Sequence, residues 1–158
     1  MIYLYFTLIE NQPSRRAMHA AQHRAGRLLL CGALRLSEEA LSAALAYREN
    51  GKPYLPGGPF FNISHSGRLV LLAVSAEGEI GCDVEDIARP VRSEAAIREK
   101  VGGDENEPLL KLWVRHEARR KAGGPGWIFM PEIAEGYVAA VCAKNHGEIA
   151  IEQKYFEI

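Results

Sequence analysis

The chain has 158 residues, a formal net charge of −1, 47% hydrophobic and 25% charged residues. This length predicts one domain, and the composition excludes a disordered, collagen-like or disulfide-stapled chain. The near-neutral charge argues against a nucleic-acid-binding protein. No apolar stretch approaches the roughly 20 residues of a transmembrane helix, so we expect no membrane span.

Two features of the sequence indicate a cytoplasmic protein. The apolar start, Ile2 to Leu8, is short and lacks the basic residues of a signal peptide, so we expect a strand there. Cys31, Cys82 and Cys142 form no CxxC pair. Buried free thiols are therefore expected, and these suit a reducing compartment.

The predicted elements alternate between helices that begin near serine or acidic residues and strands that are apolar or β-branched. In chain order they are a strand at 2–8, helices from Ser14 to about Cys31 and from Ser37 to about Arg48, strands at 60–64, 68–75 and 79–84, helices at about 93–100 and 105–121, and strands near 127–130, 137–143 and 148–156. We expect a turn at Glu77-Gly78 to join the strands at 68–75 and 79–84 into a hairpin.

A weak internal repeat supports a two-lobed fold. A shift of 69 positions places residues 38–80 on residues 107–149, and Gly78-Glu79-Ile80 recurs as Gly147-Glu148-Ile149. The sequence therefore predicts an α+β fold in which two similar helix-plus-antiparallel-sheet lobes, at about 1–88 and 89–158, pack as a pseudo-dimer within the single domain 1–158. A site shared by such lobes would lie at their interface.

The segment Gly81-Cys82-Asp83-Val84-Glu85 is the first candidate for chemistry. In a strand, Asp83 and Glu85 project from the same face, and adjacent carboxylates repel each other unless a cation lies between them. Such oxygen ligands suit Mg²⁺. The alternative is a solvated strand end.

A second candidate is the helical segment from Trp113 to Lys121. Glu117 and Lys121 are four residues apart and therefore share a face of the helix, where they form either a functional pair or an ordinary surface pair. Trp113, one turn before Glu117, is expected to anchor this helix to the core.

Three further segments offer groups that bind phosphate. Asn62-Ile63-Ser64-His65-Ser66-Gly67 is a donor-rich bend, and Gly51-Lys52-Pro53 presents a lysine at a turn. Arg24 lies on the first helix. Ser64 and His65 are neighbours on a strand and point apart, so they do not form a catalytic Ser–His pair. Each segment alone is also explained by an exposed turn or helix face.

Together and in this order, the segments resemble the 4′-phosphopantetheinyl transferases of the larger, two-lobed surfactin-synthetase-activating type. That family has the signatures GKP, FNISHSG, G-(I/V)-D-(I/V)-E and W-x-x-K-E-(A/S)-x-x-K. The corresponding residues here are Gly51-Lys52-Pro53, Phe61 to Gly67, Gly81 to Glu85 and Trp113 to Lys121. The resemblance covers roughly residues 20–143.

The resemblance implies transfer of the phosphopantetheine arm from coenzyme A to a serine of an acyl, peptidyl or aryl carrier protein. It implies Mg²⁺, with Mn²⁺ as an alternative, held by Asp83, Glu85 and Glu117. Glu117, or a water that it holds, would be the general base, and Lys121 would neutralise the pyrophosphate. Arg24, Lys52, Ser64, His65 and Lys121 would bind coenzyme A, with the 3′-phosphate on His65.

The chain departs from the family pattern in two respects. His116 stands where the family has a lysine before the glutamate, and a histidine carries that charge only when protonated. The chain is also shorter than its two-lobed relatives, including the region before Trp113 that meets the carrier. A monomeric transferase is the expectation. The alternatives are a non-catalytic relative that binds coenzyme A or a carrier, and a metal-dependent phosphohydrolase.

Overall fold

The computed structural model describes residues 1–91 and 93–156, and within these ranges the fold is α+β, as the sequence predicts. Its helices and strands follow one another along the chain as β1 (Ile2–Leu8), α1 (Arg15–Leu34), α2 (Glu38–Ala44), β2 (Ala46–Tyr47), β3 (Pro53–Tyr54), β4 (Phe60–Ser66), β5 (Leu69–Ser75), β6 (Ile80–Asp86), α3 (Glu94–Val101), α4 (Leu109–Lys121), β7 (Trp127–Phe129), β8 (Tyr137–Ala143) and β9 (Ile149–Gln153).

The two serine caps are confirmed at the first two helices. The Ser14 Oγ atom accepts a hydrogen bond from Ala17 N at 3.0 Å, and the Ser37 Oγ atom accepts one from Ala40 N at 3.1 Å. Each bond satisfies a backbone donor that the first helical turn leaves unpaired. The helix starts could therefore be predicted from local chemistry alone.

Two predicted helices are shorter than expected. Helix α2 ends at Ala44 rather than Arg48, because the chain then enters β2, which pairs with β3 across the Asn50-Gly51 turn. Helix α4 begins at Leu109 rather than Glu105. Pro108 lies directly before Leu109, and a proline is tolerated at a helix start but not in its interior.

The strands form two larger sheets and the short β2–β3 ribbon. The first sheet has the order β4-β5-β1-β9, in which β9 is parallel to β1 and the other pairs are antiparallel. The second sheet has the order β6-β8-β7 and is antiparallel.

The predicted hairpin between the strands at 68–75 and 79–84 is wrong. Strand β5 pairs with β1 on one edge and with β4 on the other, while β6 pairs with β8 in the second sheet. Every residue of β5 is buried, as expected for a central strand, and both of its hydrogen-bonding edges are already occupied. The hairpin is instead β4–β5, which turns at Gly67 with a φ of 54°.

The two larger sheets share one connectivity. In the first, β1 is followed by two helices, the β2–β3 ribbon and then β4 and β5, and in the second, β6 is followed by two helices and then β7 and β8. The later strand of each set lies at the centre. The division into lobes near residue 88 stays a proposal, since β6 precedes that point and pairs with β8.

The elements pack in layers with apolar clusters between them. One cluster lies between the two sheets and includes Leu4, Leu71, Val84 and Val141. A second joins the first sheet to α1 and α2, and a third joins the second sheet to α4. Each larger sheet is thus covered on both faces. Strand β6 and its carboxylates lie between the first sheet and α4.

The sequence predicts buried free thiols, and burial is confirmed for two of the three cysteines. Cys82 and Cys142 are buried, Cys31 is half-buried, and all three are free thiols. In the part of the chain that the structure describes, no helix combines the length and hydropathy that crossing a bilayer requires.

Gly81 lies where β6 crosses the end of α4. A Cβ atom at this position would lie 2.5 Å from Ala122 N and closer still to the Ala118 carbonyl oxygen. Both atoms belong to the backbone of α4 or its cap, so neither can rotate away. Glycine therefore permits the helix to lie directly on the strand, and this contact positions the side chains that follow Gly81.

We expect the substitution Gly81→Ala to lower the free energy of unfolding by about 2 kcal/mol or more, because the added methyl group separates β6 from α4. Urea unfolding followed by circular dichroism measures the change. Gly32→Ala is the matched control, because a Cβ atom at Gly32 in α1 would meet nothing within 4 Å. That variant should gain about 0.5–1 kcal/mol from helix propensity. Equal unfolding midpoints for Gly81→Ala and the wild type would contradict the packing argument.

Candidate active site

Alternate side chains of β4 hold the open edge of β6. Cys82 N donates to Asn62 Oδ1 at 2.9 Å, and Val84 N donates to Ser64 Oγ at 3.3 Å. Asp86 N donates to Ser66 Oγ at 2.9 Å. A strand edge buried without partners is costly, and these polar side chains satisfy it in place of another strand. The alternation in Asn62-x-Ser64-x-Ser66 thus joins the two sheets.

Asp83 is the buried carboxylate of the site, with 6% of its surface exposed. Its Oδ1 atom accepts from Lys121 Nζ at 2.6 Å and from Ser64 Oγ at 3.3 Å. Its Oδ2 atom is buried and has no hydrogen-bond partner among the described residues. A buried oxygen in this state is unusual and marks a place for an additional ligand.

The environment of Asp83 disfavours its ionised form. Burial raises the pKa of Asp83 to about 6, the positive charge and hydrogen bond of Lys121 oppose this rise, and the negative charges of Glu85 and Glu117 add to it. A bound cation would remove this unfavourable balance.

Glu117 on α4 faces the same region and is 8% exposed. Its Oε2 atom accepts from Arg120 Nη2 at 2.7 Å and from Arg120 Nε at 3.1 Å. Burial on its own would raise the pKa of Glu117, but the Arg120 hydrogen bonds and the positive charges of Arg120, Lys121 and His116 hold it below its ordinary value. Glu117 is therefore ionised at neutral pH. Its partner is Arg120, whereas Lys121 pairs with Asp83.

Glu85 completes the set of carboxylates at the end of β6. Its Oε2 atom accepts from Ser66 Oγ at 3.2 Å and from Arg89 Nη1 at 3.3 Å. It lies two residues after Asp83 and so projects from the same face of the strand. Sequence reasoning did not single out Arg89 and Arg120. Arg120 lies three residues after Glu117 on α4, and that spacing could have signalled the pair. Arg89 follows β6 outside any helix, where spacing alone does not predict its pairing with Glu85.

The donor set of the three carboxylates fits a hard divalent cation such as Mg²⁺. The orphaned Asp83 Oδ2 atom is the specific feature that supports this fit. Within the described ranges the three carboxylates do not form a group whose ligand atoms all lie within 4.8 Å of one another. Arg89, Arg120 and Lys121 hold carboxylate oxygens there instead, so a cation would replace some of these basic partners.

A cleft of about 630 Å³ opens beside Glu85. Arg15 and Arg89 lie at its wall together with the apolar side chains of Leu109, Leu110 and Trp113. Its size is that of a small-molecule site, and its lining combines positive charge with apolar surface.

The expected anchoring role of Trp113 is wrong. Trp113 is half-buried and lines the cleft, and it is not part of any of the three apolar clusters. Its ring stacks on that of His116, with centroids 6.0 Å apart. Lys100 Nζ lies 5.3 Å from the centroid of the Trp113 ring. Val114 and Ala118, both fully buried, anchor α4 instead.

Comparison with known proteins finds similarity to 4′-phosphopantetheinyl transferases. The chain is 32% identical over 128 residues to the 4′-phosphopantetheinyl transferase AcpT of Salmonella typhi, covering 71% of this chain and 64% of the relative. It is 38% identical over 118 residues to AcpT of Escherichia coli K12, covering 65% and 58%. It is 35% identical over 117 residues to the 4′-phosphopantetheinyl transferase of Bacillus subtilis, covering 66% and 50%. No family model matches the chain.

The chain belongs to the 4′-phosphopantetheinyl transferase superfamily. It spans about half to two thirds of the length of these curated relatives. The similarity agrees with the motifs, and the α+β architecture is compatible with the superfamily fold.

Only some of the predicted site residues of this superfamily member contact one another in the structure. The structure brings together Asp83, Lys121 and Ser64, and it places Glu85 and Glu117 close enough to raise the pKa of Asp83. Ser64 is buried at the junction of β4 and β6. In this arrangement its hydroxyl faces Asp83 and Lys121 rather than open solvent.

The other predicted coenzyme A residues lie apart from this cluster. Lys52 Nζ donates to the Lys121 carbonyl oxygen at 2.8 Å and to Glu79 Oε2 at 3.1 Å, and so braces the end of α4. Arg24 forms an ion pair with Glu38 at 2.6 Å. His65 faces α1, where His19 and His23 surround it. These residues keep their predicted roles as proposals.

The surroundings of His65 and Cys82 shift their pKa values and so limit the reactions in which each can take part. Burial lowers the pKa of His65, and the positive charges of His23, His19 and Lys121 lower it further. His65 is therefore a neutral donor or acceptor at pH 7. Burial raises the pKa of Cys82 to about 12, so its thiol is not a nucleophile.

We expect Asp83→Asn to stabilise the metal-free protein, and more at pH 7.5 than at pH 4.5. The folded-state pKa of Asp83 lies above its ordinary value, so the ionised carboxylate opposes folding. This cost is small near pH 4, grows as the pH rises to about 6 and is complete above it. Thermal unfolding in EDTA should show a gain over the wild type that is larger by roughly 2–4 °C at the higher pH.

Glu132→Gln, at an exposed carboxylate, is the control and should show no such difference between the two pH values. If Asp83→Asn lost the same stability at both pH values, the Lys121 ion pair would outweigh burial and the account of Asp83 would be wrong.

Proposed function

We propose that this chain is a Mg²⁺-dependent 4′-phosphopantetheinyl transferase of the two-lobed type. It would transfer the phosphopantetheine arm of coenzyme A to a serine of a carrier protein and release adenosine 3′,5′-bisphosphate. The observation that carries the proposal is the buried Asp83 with a free Oδ2 atom, set against Lys121 and beside two further carboxylates. Membership in the superfamily supports the same reaction.

In this proposal Asp83, Glu85 and Glu117 hold the divalent cation. Carboxylates and phosphate oxygens are its ordinary ligands, and it supplies positive charge to the pyrophosphate as the bridging bond breaks. Mn²⁺ would fit the same donors. Arg89 and Arg120 are the groups that leave Glu85 and Glu117 when these carboxylates turn to a cation.

The reaction joins the serine oxygen of the carrier to the β-phosphorus of coenzyme A. The bond from that phosphorus to the bridging oxygen breaks, and its electrons leave with adenosine 3′,5′-bisphosphate. Glu117, or a water that it holds, accepts the serine proton. The low pKa of Glu117 makes it a weak base, so positioning and charge stabilisation supply most of the rate.

Lys121 has the position to stabilise charge in this reaction. Its Nζ atom is bound to the Asp83 carboxylate, the Cys82 carbonyl oxygen and Ser64 Oγ. With Asp83 holding a cation, the Lys121 ammonium group would be available to a phosphate oxygen and would offset its charge. Lys52 Nζ donates to the carbonyl oxygen of Lys121, the last of α4, and so helps to fix the position of Lys121.

The cleft beside Glu85 is the proposed site for the substrate arm. Its apolar wall at Leu109, Leu110 and Trp113 suits a chain of methylene and amide groups, and Arg15 and Arg89 suit phosphate. Arg24, Lys52, Ser64 and His65 are retained as the proposed contacts of coenzyme A. We also propose that the chain acts in the cytoplasm, because its free thiols suit a reducing compartment. A monomer is proposed as well, because a site built between two lobes of one chain needs no second subunit.

The direct test is intact-mass spectrometry of a purified apo carrier protein incubated with this chain, coenzyme A and Mg²⁺. We expect the carrier to gain one phosphopantetheine. Asp83→Ala should abolish the gain, because the pyrophosphate loses its counter-charge, while Glu132→Ala at an exposed carboxylate should retain it.

The other outcomes assign a different function. Calorimetric binding of coenzyme A with no transfer to fatty-acid, polyketide or peptide-synthetase carriers would identify a non-catalytic binder. Cleavage of coenzyme A without any carrier would identify a phosphohydrolase. Transfer by Asp83→Ala at the wild-type rate would contradict the assignment of the metal ligands.

A further inference from the structure

Three histidines converge between α1 and β4, outside the carboxylate cluster. His19 and His23 are one turn apart on α1, with ring centroids separated by 4.6 Å. The His65 ring lies 5.9 Å from His19 and 6.0 Å from His23. One ring nitrogen from each histidine lies within 4.8 Å of the other two.

The cluster and the candidate active site lie on opposite sides of β4. Successive residues of a strand point to opposite faces, so Ser64 points to Asp83 while His65 points to α1. His19 and His23 are exposed and His65 is half-buried, which leaves the three rings accessible to a solute. The carboxylates of the active site therefore do not contribute to this cluster.

The chemistry of the cluster favours a transition-metal ion over Mg²⁺ or Ca²⁺. Neutral imidazole is a good ligand for Zn²⁺, Ni²⁺, Co²⁺ and Cu²⁺, whereas Mg²⁺ and Ca²⁺ require oxygen donors. Helix α1 contains no acidic residue, so it offers no carboxylate to the site. Binding would depend on the coordinating nitrogens alone.

Two of the basic residues that follow the histidines on α1 have partners elsewhere. Arg24 pairs with Glu38, and Arg27 donates to Ser42 Oγ at 2.7 Å. The low pKa of His65 keeps its ring neutral at pH 7, the form in which imidazole binds a metal.

We propose that His19, His23 and His65 form a binding site for a divalent transition-metal ion, with Zn²⁺ as the preferred ion. Three protein nitrogens leave the fourth position of a tetrahedral ion open to water or an exogenous ligand. The proposal does not require the transferase activity, although it shares His65 with the proposed coenzyme A contacts, and a bound ion would tie α1 to β4 through His65. A bound ion would also compete with any ligand that needs His65.

Calorimetric titration of the full chain with Zn²⁺, in buffer that contains excess Mg²⁺ to saturate oxygen sites, tests the proposal. We expect one Zn²⁺ per chain. His19→Gln, His23→Gln and His65→Gln should each weaken binding at least about tenfold, since loss of even an outer-shell partner costs about 10–100-fold. Co²⁺ should give the visible absorption of a tetrahedral complex in the wild type and not in these three variants.

His146→Gln is the matched control, because His146 is exposed and packs against Trp127, away from the cluster. It should bind Zn²⁺ as the wild type does, and circular dichroism should show that every variant is folded. Absence of stoichiometric Zn²⁺ binding to the wild type would overturn the proposal. So would binding that persists unchanged when all three histidines are replaced. Neither result depends on transfer to a carrier protein.

Discussion

The close contact between β6 and α4 at Gly81 is the constraint on which the rest of the site depends. Because Gly81 has no side chain, the backbone of α4 lies directly on β6 at Ala118 and Ala122. Two residues later along β6, Asp83 then faces Lys121 at 2.6 Å. Asn62, Ser64 and Ser66 hold the other edge of β6 through its backbone N–H groups. The motif residues of two separate strands thus have a packing function as well as a chemical one.

This arrangement is costly for the protein in the absence of a ligand. Asp83 is buried among negative neighbours with one oxygen unpartnered, and Arg89 and Arg120 hold the other two carboxylates. An amide at position 83 would avoid this cost above about pH 6 and would still offer Lys121 a hydrogen-bond acceptor. Sites that bind charge commonly give up stability in this way, and the account assigns that cost at Asp83 to binding a cation.

The parts of the fold that could be predicted from sequence depend on local chemistry. Ser14 and Ser37 mark helix starts, and β1 and β8 have the predicted bounds because each is an apolar run between turns. The pairing of β6 could not be predicted, since its partner β8 lies more than 50 residues away and the choice depends on which sheet edges are free. For the site, the motif order brought Asp83 and Lys121 together correctly, whereas Arg120 and His19 were missed. The spacing of Glu117 and Arg120 on α4 could have signalled their pairing. The histidine cluster arises from the packing of α1 against β4, and only the spacing of His19 and His23 could have signalled it.

The central claim is that Asp83, Glu85 and Glu117 bind a divalent cation together with the pyrophosphate of coenzyme A. Isothermal titration with coenzyme A, in the presence of Mg²⁺ and then in EDTA, tests it most directly in the wild type and in Asp83→Asn. We expect Mg²⁺ to tighten the binding of coenzyme A to the wild type and to leave its binding to Asp83→Asn unchanged. Equal effects of Mg²⁺ on both proteins would contradict it.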